Sequence, residues 1–234
     1  MNIPQIESRL REYLSFAKKY PHLFLNDKEN NSLNIILDYD TLLGQQNILY
    51  EKANKKNNPR NFFDIGILTE DNWTITLRDL VKFPNGEYAG YIRMLNKNSS
   101  VFRSGKDTVI IPLIDGNKIL LLRHFRHEDR KWHYEIPRGF GELNKPIENA
   151  AKELKEETGL IPDRIEIIGG ESTSVVYLVA YISNVDEIIL EHSEGIDSCI
   201  LVSTDEFKTM ILNGKIEDNF TLIATTYAML KGII

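Results

Sequence analysis

The sequence predicts a mixed α/β fold, an α+β sandwich preceded by a helical and β-hairpin extension, and three observations carry that expectation. Strand-like apolar runs flank one acid-loaded helix, with 109–114 and 118–122 before it and 165–168, 175–182 and 198–202 after it. Two amphipathic helical patterns, 205–212 and 218–231, close the chain. Turn signals separate the runs, notably Asp115-Gly116-Asn117 and Phe83-Pro84-Asn85-Gly86.

Taken in order, residues 1–60 read as an N-terminal helical extension, with a helix over 6–19 and a polar stretch, 51–59, that reads as a linker or exposed loop. That region holds no catalytic motif. Residues 61–105 form a β-rich segment, because the runs 73–77 and 88–92 flank the Asn85-Gly86 turn and predict a hairpin that needs a partner surface. Residues 106–234 form the third region. It opens on two strands around Asp115-Gly116 that lead into the loop Glu135-Ile136-Pro137-Arg138-Gly139. Its late helix starts at a Ser/Thr-type cap near Thr204 and stops at Gly214.

The acid-loaded helix is bracketed by its own chemistry. Pro146 suits the first helical position, Glu148 the first turn and Gly159 the left-handed residue past the end, which predicts about thirteen helical residues. At about 100° per residue, Ile147, Ala150, Ala151, Leu154 and Thr158 fall on an apolar stripe. Glu153, Glu156 and Glu157 gather on the adjoining face, with Glu153 and Glu157 nearest the apolar border. Like charges three and four residues apart cost a few tenths of a kcal/mol per pair, and a divalent cation relieves that repulsion. The bland alternative is a solvated face partnered by Lys152 and Lys155.

A second constellation is basic: Arg123, His124, Arg126, His127, Arg130, Lys131, His133 and Arg138 in a chain of net charge −6. Such a local reversal suits an anionic ligand. Arg126 is the phosphate candidate because a guanidinium fork meets phosphate oxygens bidentately. Phe125 and Trp132 could stack on a base or serve as core, and Arg130 and Lys131 read as the tip of a hairpin loop. The spacing of His124, His127 and His133 matches no zinc finger.

Composition bounds the rest. A chain of 234 residues, 42% hydrophobic, can bury one large domain or a domain with an appendage, and its acidity argues against general nucleic-acid binding. The single Cys199, in an apolar strand context, reads as buried and not as a nucleophile, and allows no internal disulfide. No run reaches the roughly 18 apolar residues of a membrane span, and the start lacks a leader pattern. The expectation is a cytoplasmic protein without membrane contact.

The chain resembles the Nudix hydrolases at Glu153-Leu154, Glu156-Glu157 and Gly159-Leu160 of the signature helix, with Gly139 opening the loop. It departs from the signature at Asn144, where that family has Glu, and at Lys152, where it has Arg, and the loop is one residue short. The stretch 120–126, Trp132, Glu135-Ile136-Pro137 and the ending 214–221 resemble the ADP-ribose pyrophosphatase branch. The short turn Gly169–Ser174 replaces that branch's longer substrate loop. The resemblance implies a Nudix-type α/β/α sandwich with a mixed sheet, cleaving the pyrophosphate bond of a nucleoside diphosphate linked to another moiety, an ADP-ribose-like substrate. It implies Mg²⁺ or Mn²⁺ held by Glu153 and Glu157, shared by Glu156 and completed by the Arg138 carbonyl. It also implies substrate contacts from Arg126, Phe125, Trp132 and Glu135, a homodimer built through the β-rich segment, and a late-loop general base, Glu194 first and Glu191 second. Alternative readings are hydrolysis of nucleotide sugars or dinucleoside polyphosphates, or nucleotide sensing without cleavage.

Overall fold

A computed structural model describes residues 3–27, 32–97, 102, 105–141, 145–183, 185, 187–190, 192 and 195–234. They form two compact units, Met1–Lys97 and Asn98–Ile234.

The first unit sets two helices, α1 (Ile3–Lys19) and α2 (Tyr39–Lys55), with an antiparallel sheet of β1 (Asn34–Ile35), β2 (Gly66–Glu70), β3 (Thr74–Lys82) and β4 (Tyr88–Asn96). The hairpin is present, as the Asn85-Gly86 signal predicts. β3 pairs β4 in unbroken register from Thr74↔Asn96 to Lys82↔Tyr88, and Gly86 takes φ 86°, a left-handed value that favours glycine. The reading of 51–59 as a linker or exposed loop is corrected for Glu51–Lys55, which end α2 with Ala53 fully buried, while 56–59 are exposed and outside the helix. The stripe of α2 escaped the hydrophobic pattern because two of its buried positions are Gln46 and Tyr50. Both join a polar network. Arg9 pairs with Asp64 at 2.9 Å and donates from Nε to the Ile65 carbonyl at 2.8 Å; Gln46 accepts from the Ile65 N–H at 2.7 Å, and the Tyr50 hydroxyl donates to Asp64. A second buried carboxylate, Asp79, accepts from the Tyr13 hydroxyl at 2.6 Å and pairs with Arg93.

The second unit is a sheet between helices. Its strands β5 (Asp107–Ile114), β6 (Lys118–Arg126), β9 (Arg164–Gly169), β10 (Val175–Ile182) and β11 (Ile196–Ser203) run in the order β11-β6-β5-β10-β9. β10 runs parallel to β5 and the other pairs are antiparallel. Val109, Ile111 and Leu113 of β5 face a core shared with α4 (Thr204–Leu212) and α5 (Asn219–Leu230). Ile110 and Ile114 face the opposite core, with Ala150 and Leu154 of α3 (Pro146–Thr158). Strands buried on both faces read as continuous apolar runs, which is why they were legible.

One irregularity of this sheet positions the site. β5 and β6 pair only at Leu113↔Ile119 and Ile114↔Lys118. The ladder stops at Pro112, which has no N–H to donate. Beyond it the strands diverge, β6 pairing with β7 (Lys131–Glu135) and β5 with β8 (Arg138–Gly139). The segment Glu135–Gly139 fills the split, fastened by the Ile110 N–H to the Pro137 carbonyl at 2.9 Å.

Two smaller expectations change. Ile147 is 47% exposed, and the buried stripe of α3 instead includes Asn149 and Glu157 beside Ala150, Leu154 and Thr158. Cys199 lies in β11 but is only half-buried, and burial pushes its thiol pKa up. Among the described residues no helix is long and apolar enough to cross a membrane.

Candidate active site

The acidic helix has the predicted bounds. Pro146 occupies its first turn and Gly159, at φ 73°, closes it with an N–H to the Lys155 carbonyl at 2.8 Å. Its three carboxylates do not share one environment. Glu157 is 6% exposed, Glu153 is half-buried, and Glu156 turns to solvent, its side chain 56% exposed and 3.8 Å from Lys152 Nζ. The side chains one turn apart, Glu153 and Glu157, face the sheet, as the helical projection places them.

Beneath α3 lies β8. Thr108 pairs with Gly139 and Val109 with Arg138, so alternation turns Gly139 toward α3 and the Arg138 side chain toward α5. A Cβ on Gly139 would fall inside the Glu153 carboxyl group, so only glycine lets that carboxylate lie on the strand. The loop continues to Gly141, where a Cβ would strike the Lys106 carbonyl. The Gly141 amide donates to Asp107, whose carboxyl pKa is raised by burial against that bond. Asp107 Oδ1 is itself buried with no hydrogen-bond partner among the described residues.

At the other end of the split, Glu135 is 2% exposed and centres a network. It accepts from His124 Nδ1 at 2.8 Å and from both Nε, at 3.0 Å, and Nη2 of Arg126. Burial alone would raise the Glu135 pKa, but the His124 and Arg126 hydrogen bonds and the charges of Arg126 and Arg138 outweigh it and hold the carboxyl below its ordinary range. Arg138 lies 3.9 Å from Glu135 and 3.6 Å from Asp218, with its guanidinium over the Phe220 ring at 4.4 Å. Asp218 caps α5 by accepting from the Thr221 N–H at 2.8 Å and its hydroxyl at 2.7 Å. The Thr221 hydroxyl oxygen accepts in turn from the Ile136 N–H at 3.2 Å. The start of α5 thereby clamps the segment that carries Gly139.

The expected substrate contacts divide between two faces. The register His124↔His133 and Phe125↔Trp132 puts His124, Arg126 and Glu135 on the α3 face of the ribbon, and Arg123, Phe125 and Trp132 on the other. There Phe125 and Trp132 meet edge to face at 5.3 Å, with Arg123 4.2 Å over the Trp132 ring. His133 pairs with Asp129 at 2.8 Å and His127 with Arg130 at 2.7 Å, so each of the three histidines has its own partner. Glu191, Glu194 and Asn144 lie outside the described residues. Sequence reasoning missed Asp107, which carries no local signal, and the contact of Asp218 with Arg138, since Asp218 reads locally only as the start of a helix.

Residues 105–220 match the model of the NUDIX domain. The chain carries a NUDIX domain over these residues. No curated protein matches the chain in sequence. A solved structure, that of an ADP compounds hydrolase, is similar over 71% of this chain and 91% of that one, with a TM-score of 0.57 and 16% identity, a likeness of fold. Divalent metals generally serve NUDIX enzymes, and the donor chemistry here fits one in part. Glu153 and Glu157 could offer hard carboxylate oxygens one helical turn apart, and Gly139 leaves room for the first of them. Among the described residues no three His, Cys, Asp or Glu side chains come together as a complete metal cluster. Two carboxylates with backbone and water oxygens is the set a hydrated Mg²⁺ accepts.

Proposed function

We propose that this NUDIX protein is a metal-dependent pyrophosphohydrolase acting on a nucleoside diphosphate linked to another moiety, with an ADP-ribose-like compound as its substrate. One observation carries the reading: the Glu153 carboxyl lies against a glycine strand that a single methyl group would block, with buried Glu157 one turn along the same helix. The fold neighbour's action on ADP compounds supports the substrate class.

Bound Mg²⁺ or Mn²⁺ would lower the pKa of a coordinated water and neutralise charge growing on the phosphate oxygens. Glu153 and Glu157 would hold the ion, with the Arg138 carbonyl beside Gly139 as a further oxygen. Glu156 would act through the water shell, given its exposure. Glu135 holds Arg126 rigidly on the α3 face, where the remaining donors of the guanidinium would meet a phosphate oxygen. Phe125 and Trp132 would meet a base that reaches round the ribbon. Glu194 is the proposed base that takes the water proton, with Glu191 second. Water adds across the P–O–P bridge, so ADP-ribose would yield AMP and ribose 5-phosphate.

The proposal includes a homodimer. β4 is an edge strand of nine residues whose one charge, Arg93, is bound to Asp79, and Tyr91, Ile92 and Met94 are exposed along it. An unblunted edge of this kind favours antiparallel pairing with a second copy. A cytoplasmic setting is proposed on the single half-buried cysteine.

The test is product analysis after incubation with ADP-ribose, nucleotide sugars and dinucleoside polyphosphates in Mg²⁺ or Mn²⁺. Fastest cleavage of ADP-ribose, absent in chelator, is the expected result. Preference for another pyrophosphate would reassign the substrate, and nucleotide binding with no cleavage of any compound would establish the sensing alternative.

A further inference from the structure

We propose that the N-terminal unit carries a second, non-catalytic binding site, a cavity between α2 and the β3–β4 face that takes a small anion bearing a planar ring. The cavity has a volume of about 360 Å³, near the lower end for small-molecule sites, which limits the occupant to a compact ligand of a few rings.

Its floor follows from strand register. Arg78 pairs with Ile92, Leu80 with Gly90 and Lys82 with Tyr88, so Arg78, Tyr88, Gly90 and Ile92 share one face of the hairpin. Gly90 is what opens that floor. A Cβ there would lie 2.7 Å from Arg78 Cδ, so the glycine lets the arginine stem lie across β4. Phe62 and Phe63, from a one-turn 3₁₀ helix over Arg60–Phe63, and Lys52 of α2 form the walls.

The charge of the cavity selects the ligand. Two cations and three aromatic rings line it, and no acidic residue does, in a chain of net charge −6. Arg78 donates from Nη1 to the Asp64 carbonyl at 3.0 Å and the Asn61 carbonyl at 3.4 Å. The Asp64 carboxylate is turned to Arg9. Burial acts against the Arg78 charge and lowers its pKa, which an anion in the cavity would reverse. Nε and Nη2 of Arg78 are the donors left to meet that anion, with the Lys52 ammonium at the rim and the rings to sandwich a planar body. None of these residues belongs to the NUDIX domain, so the site stands or falls independently of the hydrolase reading.

The experiment titrates the full-length protein with 1-anilinonaphthalene-8-sulfonate, an aromatic sulfonate, and with neutral N-phenyl-1-naphthylamine, following fluorescence. Lys52→Glu and Phe62→Ala test the cavity, since both side chains are exposed and neither substitution opens the core. Lys131→Glu, in the basic ribbon of the other unit, is the control, and thermal melts establish that each variant is folded. The expected result is one saturable sulfonate site, weakened about tenfold or more by Lys52→Glu and by Phe62→Ala and unchanged by Lys131→Glu, with the neutral probe binding more weakly. Equal affinity in all four proteins, loss in Lys131→Glu alone, or equal binding of the neutral probe would overturn the proposal.

Discussion

Both units bury a carboxylate held by arginine, and the second adds a different arrangement. In the first, Asp64 and Asp79 each meet a guanidinium and a tyrosine hydroxyl of the same unit, Arg9 with Tyr50 and Arg93 with Tyr13. In the second, α3 sets Glu157, equally buried, one turn from Glu153 on the same side of the helix. The first arrangement satisfies its charges internally and stabilises one conformation. The second places like charges one helical turn apart, a repulsion that a divalent cation would relieve. In the first unit the arginine-held carboxylates are elements of architecture; under the proposed function the α3 pair is the place for chemistry.

Substitutions can break that contrast. Glu157→Gln is expected to lower hydrolysis by roughly a thousandfold, about 4 kcal/mol of transition-state stabilisation, while leaving the melting temperature unchanged or raised because a like charge one helical turn from Glu153 is removed. Asp64→Ala is expected to do the reverse, destabilising the fold by roughly 3 kcal/mol in urea melts by stranding the buried Arg9, with kcat of the folded protein near wild type. Gly139→Ala is expected to sit between them. Displacing Glu153 should cost roughly a hundredfold in kcat, with a smaller loss of stability.

How much of this was legible depended on distance along the chain. Pro146 and Gly159 bracket α3 locally, and Asn85-Gly86 marks its hairpin locally, so both were readable. α2 was not, because Gln46 and Tyr50 interrupt its apolar stripe and their partners, Phe63 to Ile65, lie further on in the chain. The basic cluster was readable as a cluster, but the engagement of Arg126 by Glu135 was not. It depends on β6 and β5 parting at Pro112, an event of sheet register. The division of Arg126 and Phe125 between two faces was within reach of period-two alternation, since they are adjacent residues of one strand.

Glu135 sharpens the comparison through pH. Its folded pKa is held below the ordinary value, so its contribution to stability is present above the unfolded-state pKa, about 4.3 for a glutamate, and is lost as pH falls through the folded value. Wild type should therefore lose more stability than Glu135→Gln on acidification from about pH 5 to pH 3, read by denaturant melts across that range. The smallest effect is expected at Lys152→Ala. Its partner Glu156 is more than half exposed, so the loss should be under about 0.5 kcal/mol.

The most direct measurement is Mn²⁺ binding followed by electron paramagnetic resonance, in which bound ion leaves the sharp signal of the free ion. Wild type and Asp64→Ala, each at a temperature where it is folded, are expected to deplete the signal saturably, and Glu157→Gln to leave it largely intact. Undiminished binding by Glu157→Gln, or no binding by wild type, would contradict the assignment of α3 as the metal-holding face.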